Sequence, residues 1–373
     1  MSEWREVSLG DAPIEILDGD RGKNYPKKHD FSDSGYCLFL NTKNVTSSGF
    51  NFNELNFITK EKDENLRKGK LKRNDVVLTT RGTVGNVAFY GDNIKFENIR
   101  INSGMVIIRP LDIDPVFNLQ LFKFLTLDLS EYTSGSAQPQ LPIRDLKQIL
   151  VSIPPLPEQK AIAEVLSARD DKIDLLHRQN KTLEQMAETL FRQWFVEEAG
   201  EDWEEGVLGD LVEVKYGKDH KKLNDGKIPV YGSGGIMRHA EMSLYDDESV
   251  LIPRIGTLNN VVYINEPFWT VDTMFYTIMR KPNTAKFIYQ FIKKIDLASM
   301  NVGSAVPSMT TQVLNSMPLL IPFDKEFEYF ENAVTPFYTK SKSNKTQIRT
   351  LETLRDTLLP KLMSGEVRIA SHG

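Results

Sequence analysis

One long unit occurs twice in this chain. Trp4 opens the pattern W-x4-L-G-D, closing on Leu9-Gly10-Asp11, and Trp203 opens it again, closing on Leu208-Gly209-Asp210. Val77-Leu78, Arg81, Gly82-Thr83 and Asn86-Val87 are echoed by Val250-Leu251, Arg254, Gly256-Thr257 and Asn260-Val261. Gly135-Ser136-Ala137 with Pro139 returns as Gly303-Ser304-Ala305 with Pro307, Ile153-Pro154 as Ile321-Pro322, and Asn180-Lys181-Thr182 as Asn344-Lys345-Thr346. Such a duplication restricts the fold to two like domains related by pseudo-symmetry. It also suits a ligand that presents two sites.

The copies are unequal. They are offset by 199 residues at the tryptophans and by 168 at Gly-Ser-Ala, so the second globular part is shorter by 31. In copy one, short apolar runs at Tyr36 to Leu40, Val76 to Thr80, Val87 to Tyr90 and Met105 to Ile108 read as strands. In copy two the runs are Val250 to Ile252, Val261 to Ile264 and Met274 to Ile278. Asn118 to Leu129 and Ala285 to Ile295 read as helices. Each globular part is therefore expected to be α+β.

A long helix should close each copy. Ile162, Leu166, Arg169, Ile173, Leu176, Asn180, Leu183, Ala187, Leu190 and Trp194 step by four and three without a break. Phe327, Phe330, Val334, Phe337, Ser341, Asn344, Ile348, Leu351, Arg355 and Leu358 do the same. That period of 3.5 is a coiled-coil seam. The expected fold is α+β, with two globular domains joined by two long antiparallel coiled-coil helices in a pseudo-twofold repeat. The expected boundaries are 1–155 and 199–322 for the globular domains, and 156–198 and 323–366 for the helices. Asn180 and Asn344 fall near the helix middles. Two readings stand for them: facing partners that set the register at a cost in stability, or exposed polar residues. Pro336 sits inside the second seam and predicts a kink, with Phe323 to Thr335 as a separate segment.

No apolar run reaches the ~18 residues of a membrane span, and no basic-then-apolar leader is present, so a cytoplasmic chain without membrane contact is expected. Cys37 is the only cysteine. It reads as a small core residue in a reducing compartment. The net charge of −5 is unevenly spread: Glu158 to Glu205 holds 13 acids and 6 bases, so this segment carries −7 and the rest of the chain +2. Basic residues gather in the repeats, at Arg21 to Lys28, at Lys60 to Arg73 and at Lys215 to Lys227. A local patch rather than the total sets attraction to phosphates.

Catalytic patterns are missing. There is no G-x4-G-K-[ST], G-x-G-x-x-G, H-E-x-x-H or G-x-S-x-G, and no cysteine pair for a metal. Tyr231-Gly232-Ser233-Gly234-Gly235 lacks the lysine and spacing of a phosphate loop and reads as a turn. Glu158-Gln159-Lys160 and Glu213-Val214-Lys215 match a fragment of many nucleases, but so short a triplet arises by chance in a chain this charged. No catalytic residue and no metal ligand is assigned, and a binding module outranks an enzyme.

The residue types in the loops are those that hold phosphates and read base edges. Lys23, Lys27, Lys28 and Lys43 in copy one, and Lys218, Lys221, Lys222 and Arg238 in copy two, are candidate DNA contacts. So are Arg81 and Thr83, with Arg254 and Thr257, on the repeated strand-turn element. For Arg81 and Arg254 a second reading is a carboxylate partner within the domain. The first seam covers 33 residues, about 50 Å at ~1.5 Å per residue. Two domains so spaced can meet one face of B-DNA about one turn, ~34 Å, apart.

These features resemble the specificity subunit of type I restriction-modification systems. The resemblance rests on the two W-x4-L-G-D openings, on Gly135-Ser136-Ala137-x-Pro139 with Leu146 and Ile149, and on Ile153-Pro154-Pro155-Leu156-Pro157-Glu158-Gln159. Phe191-x-x-Trp194-Phe195 and Thr357-Leu358-Leu359-Pro360-Lys361-Leu362-Met363-Ser364-Gly365 end the helices in the family manner. It implies two target-recognition domains that read the halves of a bipartite, asymmetric site in double-stranded DNA. It also implies a helical spacer that docks two methyltransferase subunits and a restriction and translocation subunit. S-adenosylmethionine, ATP and magnesium would then be held by those partners, and this chain would carry no cofactor and no active site. The alternative is a stand-alone enzyme that cleaves or modifies DNA through an unrecognised site. Copy two departs from the pattern at Ile321-Pro322-Phe323-Asp324-Lys325-Glu326, which lacks the second proline and the Glu-Gln pair.

Overall fold

In each copy an apolar strand run is buried on both sides, and the two sides feed different cores. The computed structural model describes residues 4–129, 139–300 and 308–369. The chain divides into two units, residues 1–175 with 348–373 and residues 176–347, and both divisions fall inside a long helix.

The first unit is built on an antiparallel four-stranded sheet. Its order is Ile14–Asp18, Met105–Pro110, Val76–Thr79, Val87–Phe89. Successive side chains of a strand point to opposite faces. Val76, Leu78, Val106 and Ile108 therefore pack with Phe117, Leu121 and Phe122 of the helix Pro115–Leu125, and with Ile162 and Leu166 of a long helix. Val77, Met105 and Ile107 face the other way, onto a three-stranded sheet. In that sheet Cys37–Leu40 runs antiparallel to Phe57–Ile58 and parallel to Ile99–Ile101. Cys37 is fully buried there, which pushes its thiol up to about 12 and leaves it inert.

The second unit repeats this plan. Val212–Tyr216, Met274–Met279, Ser249–Pro253 and Val262–Ile264 form the four-stranded sheet. Val250, Ile252 and Phe275 face one core, while Leu251, Met274 and Tyr276 face the other. Asp225–Gly232 again pairs in parallel with a short strand, Trp269–Thr270. The extra residues of copy one lie between the shared strands. There the path from Leu40 to Val76 holds the strand Phe57–Ile58 and the helix Lys60–Asn65, where copy two has one hairpin strand, Gly235–Ala240.

The inserted helix brings a buried charge network. Arg100 donates to the Asp63 carboxylate and to the carbonyls of Asp63, Leu66 and Lys68. Lys70 takes the second Asp63 oxygen. Burial alone would push the Asp63 carboxyl up, but the bonds from Lys70 and Arg100 outweigh it and hold it below its ordinary value of 3.8.

The long helices are Leu156–Arg192, running into a π turn at Gln193–Glu197, and Asp324–Met363. Every position of both heptad seams is buried or half-buried. Asn344 is fully buried and its Nδ2 donates to Asn180 Oδ1 at 2.9 Å, while its own Oδ1 has no partner among the described residues. The expected break at Pro336 does not occur, and one helix continues through it. Proline in a helix interior costs about 3 kcal/mol. Phe327, Phe330 and Val334 are buried before it, and Phe337 and Tyr338 pack on the same cluster after it. Each buried aromatic contributes roughly 1.5–3 kcal/mol, so a break would cost more than the proline does. The two helix starts also align more closely than their sequences suggest. Arg5 pairs with Ile153 and Glu204 with Ile321, so Glu326 holds the place of Glu158 and Phe327 that of Gln159.

Two outcomes follow. Asp63→Asn should cost about 3–5 kcal/mol in urea unfolding at pH 7, because it leaves Arg100 buried and uncompensated. A carboxyl held low lends stability that is present above 3.8 and lost as pH falls through its lowered value, so the stability gap between wild type and variant should narrow as pH falls below about 4. The double change Asn180→Leu and Asn344→Leu should raise Tm by about 2–4 °C per kcal/mol regained, since it removes a buried unpaired oxygen. An unchanged or lower Tm by calorimetry would show that the pair stabilises the seam.

Candidate nucleic-acid interface

In the first unit several strand ends meet at one edge. Ile14–Asp18 leaves its sheet through Gly19, where a Cβ would stand 2.2 Å from the Asn102 carbonyl oxygen. Only glycine allows that approach. The Asn102 N–H donates to Leu40 O at 3.0 Å, and the N–H groups of Thr80 and Arg81 share Gly104 O at 2.8 and 3.2 Å. Arg21 Nη2 reaches Asp18 Oδ1 at 3.2 Å and Ser103 O at 3.4 Å. A Cβ on Gly104 would lie 2.9 Å from Thr42 Cγ2 and 3.8 Å from Arg81 Cβ. The edge therefore gathers Arg21, Lys43 and Arg81, with exposed Thr83 beyond Gly82.

Lys23, Lys27 and Lys28 follow on the next loop, exposed and without ion pairs among the described residues. Asp20 orders the start of that loop by accepting the Gly22 and Arg67 N–H groups at 2.6 and 2.7 Å. Burial pushes its carboxyl up, but these bonds and the Arg67 charge bring it below the ordinary range. No hydrogen bond or ion pair joins Lys27 or Lys28 to Arg81.

The second unit has the same edge. A Cβ on Gly217 would stand 2.0 Å from the Val271 carbonyl oxygen, so the glycine and the close approach are both repeated. The Lys218 N–H donates to Thr270 O at 2.9 Å. Arg254 donates through its N–H to Thr273 O and through Nη1 to Asp272 O at 3.0 Å, with its guanidinium 5.5 Å from the Tyr216 ring. Thr257 is exposed beside it. Lys221 and Lys222 are exposed beyond Asp219, whose carboxylate accepts the Lys221 N–H at 3.1 Å and is held low by that bond. Arg238 is tied to Leu223 O at 2.7 Å and Asp225 Oδ1 at 3.2 Å.

The register corrects one equivalence. Met105 faces Thr79, and Met274 faces Pro253. The counterpart of Arg254 is therefore Thr80, and that of Arg81 is Ile255. A shift of one residue turns a side chain to the other face, so the two arginines leave their strands on opposite sides. Neither has a carboxylate partner among the described residues. The repeated asparagines, by contrast, do the same structural work: Asn86 Nδ2 donates to Val45 O at 2.9 Å and Asn260 Nδ2 to Ser233 O at 2.8 Å.

Sequence reasoning missed the convergence of Gly19 and Gly217 on the facing turn, although each follows the W-x4-L-G-D element at nearly the same distance. It also missed the hairpin of copy two, which exposes Ile236 and Met237 beside this edge. The nuclease-like triplets are accounted for structurally: Glu213 pairs with Lys215 at 2.6 Å, and Glu158 is held by Trp4 and Arg368. No group of three or more His, Cys, Asp or Glu among the described residues could hold a metal ion. No helix among them is long and apolar enough to cross a membrane. Gly135-Ser136-Ala137 and Gly303-Ser304-Ala305-x-Pro307 lie outside the described residues.

The chain is similar to the type I restriction enzyme MjaIX specificity subunit of Methanocaldococcus jannaschii, at 28% identity over 79% of this chain and 78% of that protein. It is also similar to the type I restriction enzyme HindI specificity subunit of Haemophilus influenzae, at 22% identity over 98% of this chain and 100% of that protein. Its fold is shared with the crystal structure of a type I restriction-modification system S subunit from M. genitalium, with a TM-score of 0.65, 18% identity and 96% of each chain covered. The family model for the type I restriction modification DNA specificity domain matches twice, over residues 1–185 and 200–357, and the chain belongs to that family.

Proposed function

We propose that this chain is the DNA-reading subunit of a type I restriction-modification assembly and that each unit reads one half of a bipartite site in double-stranded DNA. The observation that carries the reading is the repeated edge: two like folds, each turning basic and polar side chains out of the same strand ends. Lys23, Lys27, Lys28 and Lys43 in one unit and Lys218, Lys221 and Lys222 in the other are suited to phosphates. Arg81 and Thr83, and Arg254 and Thr257, stand where base edges or phosphates would come. Arg238 acts indirectly, by bracing the loop of Leu223. The site is asymmetric, because the two edges differ in loops and in the face their arginine leaves from.

The helices serve as spacer and docking surface, with residues 1–155 and 199–322 as the reading domains and Asn180 with Asn344 setting the register. Two methyltransferase subunits and a restriction and translocation subunit would bind there. Those partners would hold S-adenosylmethionine, ATP and magnesium, and a cytoplasmic location suits such an assembly.

Competition binding with the methyltransferase partner should show preference for one sequence over scrambled DNA. Equal competition by all sequences, or cleavage by the lone chain with magnesium, would overturn the reading. Within that assay, Lys27→Ala or Lys221→Ala should weaken binding evenly across sequences and lower the salt slope by about 1, whereas Arg81→Ala should cost about 1–3 kcal/mol and relax one position. Inserting one heptad in each long helix, beside Asn180 and Asn344, adds about 10 Å and should widen the gap between recognised halves by about three base pairs. An unchanged gap, read by mapping modified bases, would mean the helices do not set the spacing.

A further inference from the structure

Trp4 and Trp203 occupy the same place in the two copies, each leading into the short strand that pairs beside a long helix. In the first unit this place is closed. The Trp4 indole N–H donates to Glu158 Oε2 at 3.2 Å. Arg368 grips the same carboxylate with both arms, Nε to Oε1 at 2.6 Å and Nη2 to Oε2 at 2.8 Å, and its guanidinium lies 5.3 Å from the Trp4 ring. Glu158 is only 7% exposed, so its charge is met inside the protein.

At the matching place the second unit keeps the indole and the carboxylate, and no arginine lines it among the described residues. Trp203 and Glu326 line an open cavity of about 530 Å³, together with Trp194, Phe195, Glu198 and Tyr329. Among the described residues Glu198 accepts only from the Gln193 side chain, and Glu326 spends one oxygen on the Phe323 N–H. Neither carboxylate has a cation partner among the described residues. Trp203 is 9% exposed, and its indole N–H has no acceptor among them. The segment leaving the first long helix passes the indole as Gly200, which brings no side chain. Tyr329, in the lining, is 62% exposed.

We propose that this cavity is a socket for an arginine side chain carried by another polypeptide of the assembly. The place Arg368 fills from within the first unit would be filled from outside in the second. Arginine fits better than lysine because a planar fork can take the Glu326 carboxylate bidentately while lying against Trp and Tyr faces. Two unpaired carboxylates supply the complementary charge, and buried arginine beside aromatics is the usual anchor of a protein interface. The identity of the partner rests on the functional reading above; the chemistry of the socket does not.

The full chain, labelled with ¹⁵N at its tryptophan indoles, tests this by NMR, with Trp203→Phe assigning the signal. The probe is a capped peptide of the chain's own residues 364–369, Ser-Gly-Glu-Val-Arg-Ile. The Trp203 signal should shift saturably with it and not with its Arg368→Ala form. Glu326→Gln, which keeps an acceptor for the Phe323 N–H, should weaken the peptide about tenfold. No shift at millimolar peptide, or an equal shift with the alanine form, overturns the socket. In the assembly, Glu326→Gln should weaken retention of the methyltransferase subunit by a similar factor. If it instead abolishes self-association of the lone chain, the occupant is a second copy and the partner assignment falls. Loss of sequence preference by the wild-type assembly would sink the functional reading alone, because the peptide experiment does not depend on DNA.

Discussion

Each unit depends on a four-stranded sheet buried on both faces. Were Val77 and Ile107 solvated, their strands would show one apolar side and the second core would vanish. Because both faces are covered, Val76 and Leu78 can hold one helix and the start of a long one while Val77 holds the smaller sheet. The loops at the sheet ends then inherit fixed positions. Gly19 against Asn102 and Gly217 against Val271 are where that rigidity is tightest, since a single methyl group would collide with backbone.

The long helices obey a looser rule. Their seams are buried or half-buried at every position, yet they contain Asn344, whose oxygen has no partner among the described residues, and they tolerate Pro336. The burial of Phe330 and Val334 outweighs what Pro336 costs. The same aromatic cluster, in which Phe195 lies 4.9 Å from Phe287 and 5.1 Å from Phe330, joins the end of one helix and the start of the other to the second domain. The socket at Trp203 opens beside that cluster, so the groove stands on a rigid base.

Much of this was legible before any coordinates. The strands at Cys37–Leu40, Val76–Thr79 and Met105–Pro110, the helix Ala285–Lys294 and both heptad seams follow from apolar periodicity, which burial directly imposes. Pro336 suggests a break because its backbone cost is local and visible in sequence, whereas the packing of Phe330, Val334 and Phe337 that opposes it is not. Arg81 and Arg254 mislead for a different reason: a gap of one residue leaves a motif recognisable in sequence but turns a side chain to the opposite face. The candidate site is legible in sequence as residue types in loops, not as an arrangement.

The amino-acid sequence by itself determined that two like α+β domains are each followed by a heptad helix, and that the domains carry basic loops and no catalytic pattern. Duplication and periodicity are linear properties, so they survive without coordinates. Only the tertiary structure decided which loops converge, which arginine leaves which face, and that Glu326 stands where Glu158 does. Those depend on strand pairing across long stretches of chain, where one residue of register changes every contact. It also decided that Arg368 closes one copy of the tryptophan site while the other stays open, because the closing residue lies 364 positions from the tryptophan it covers.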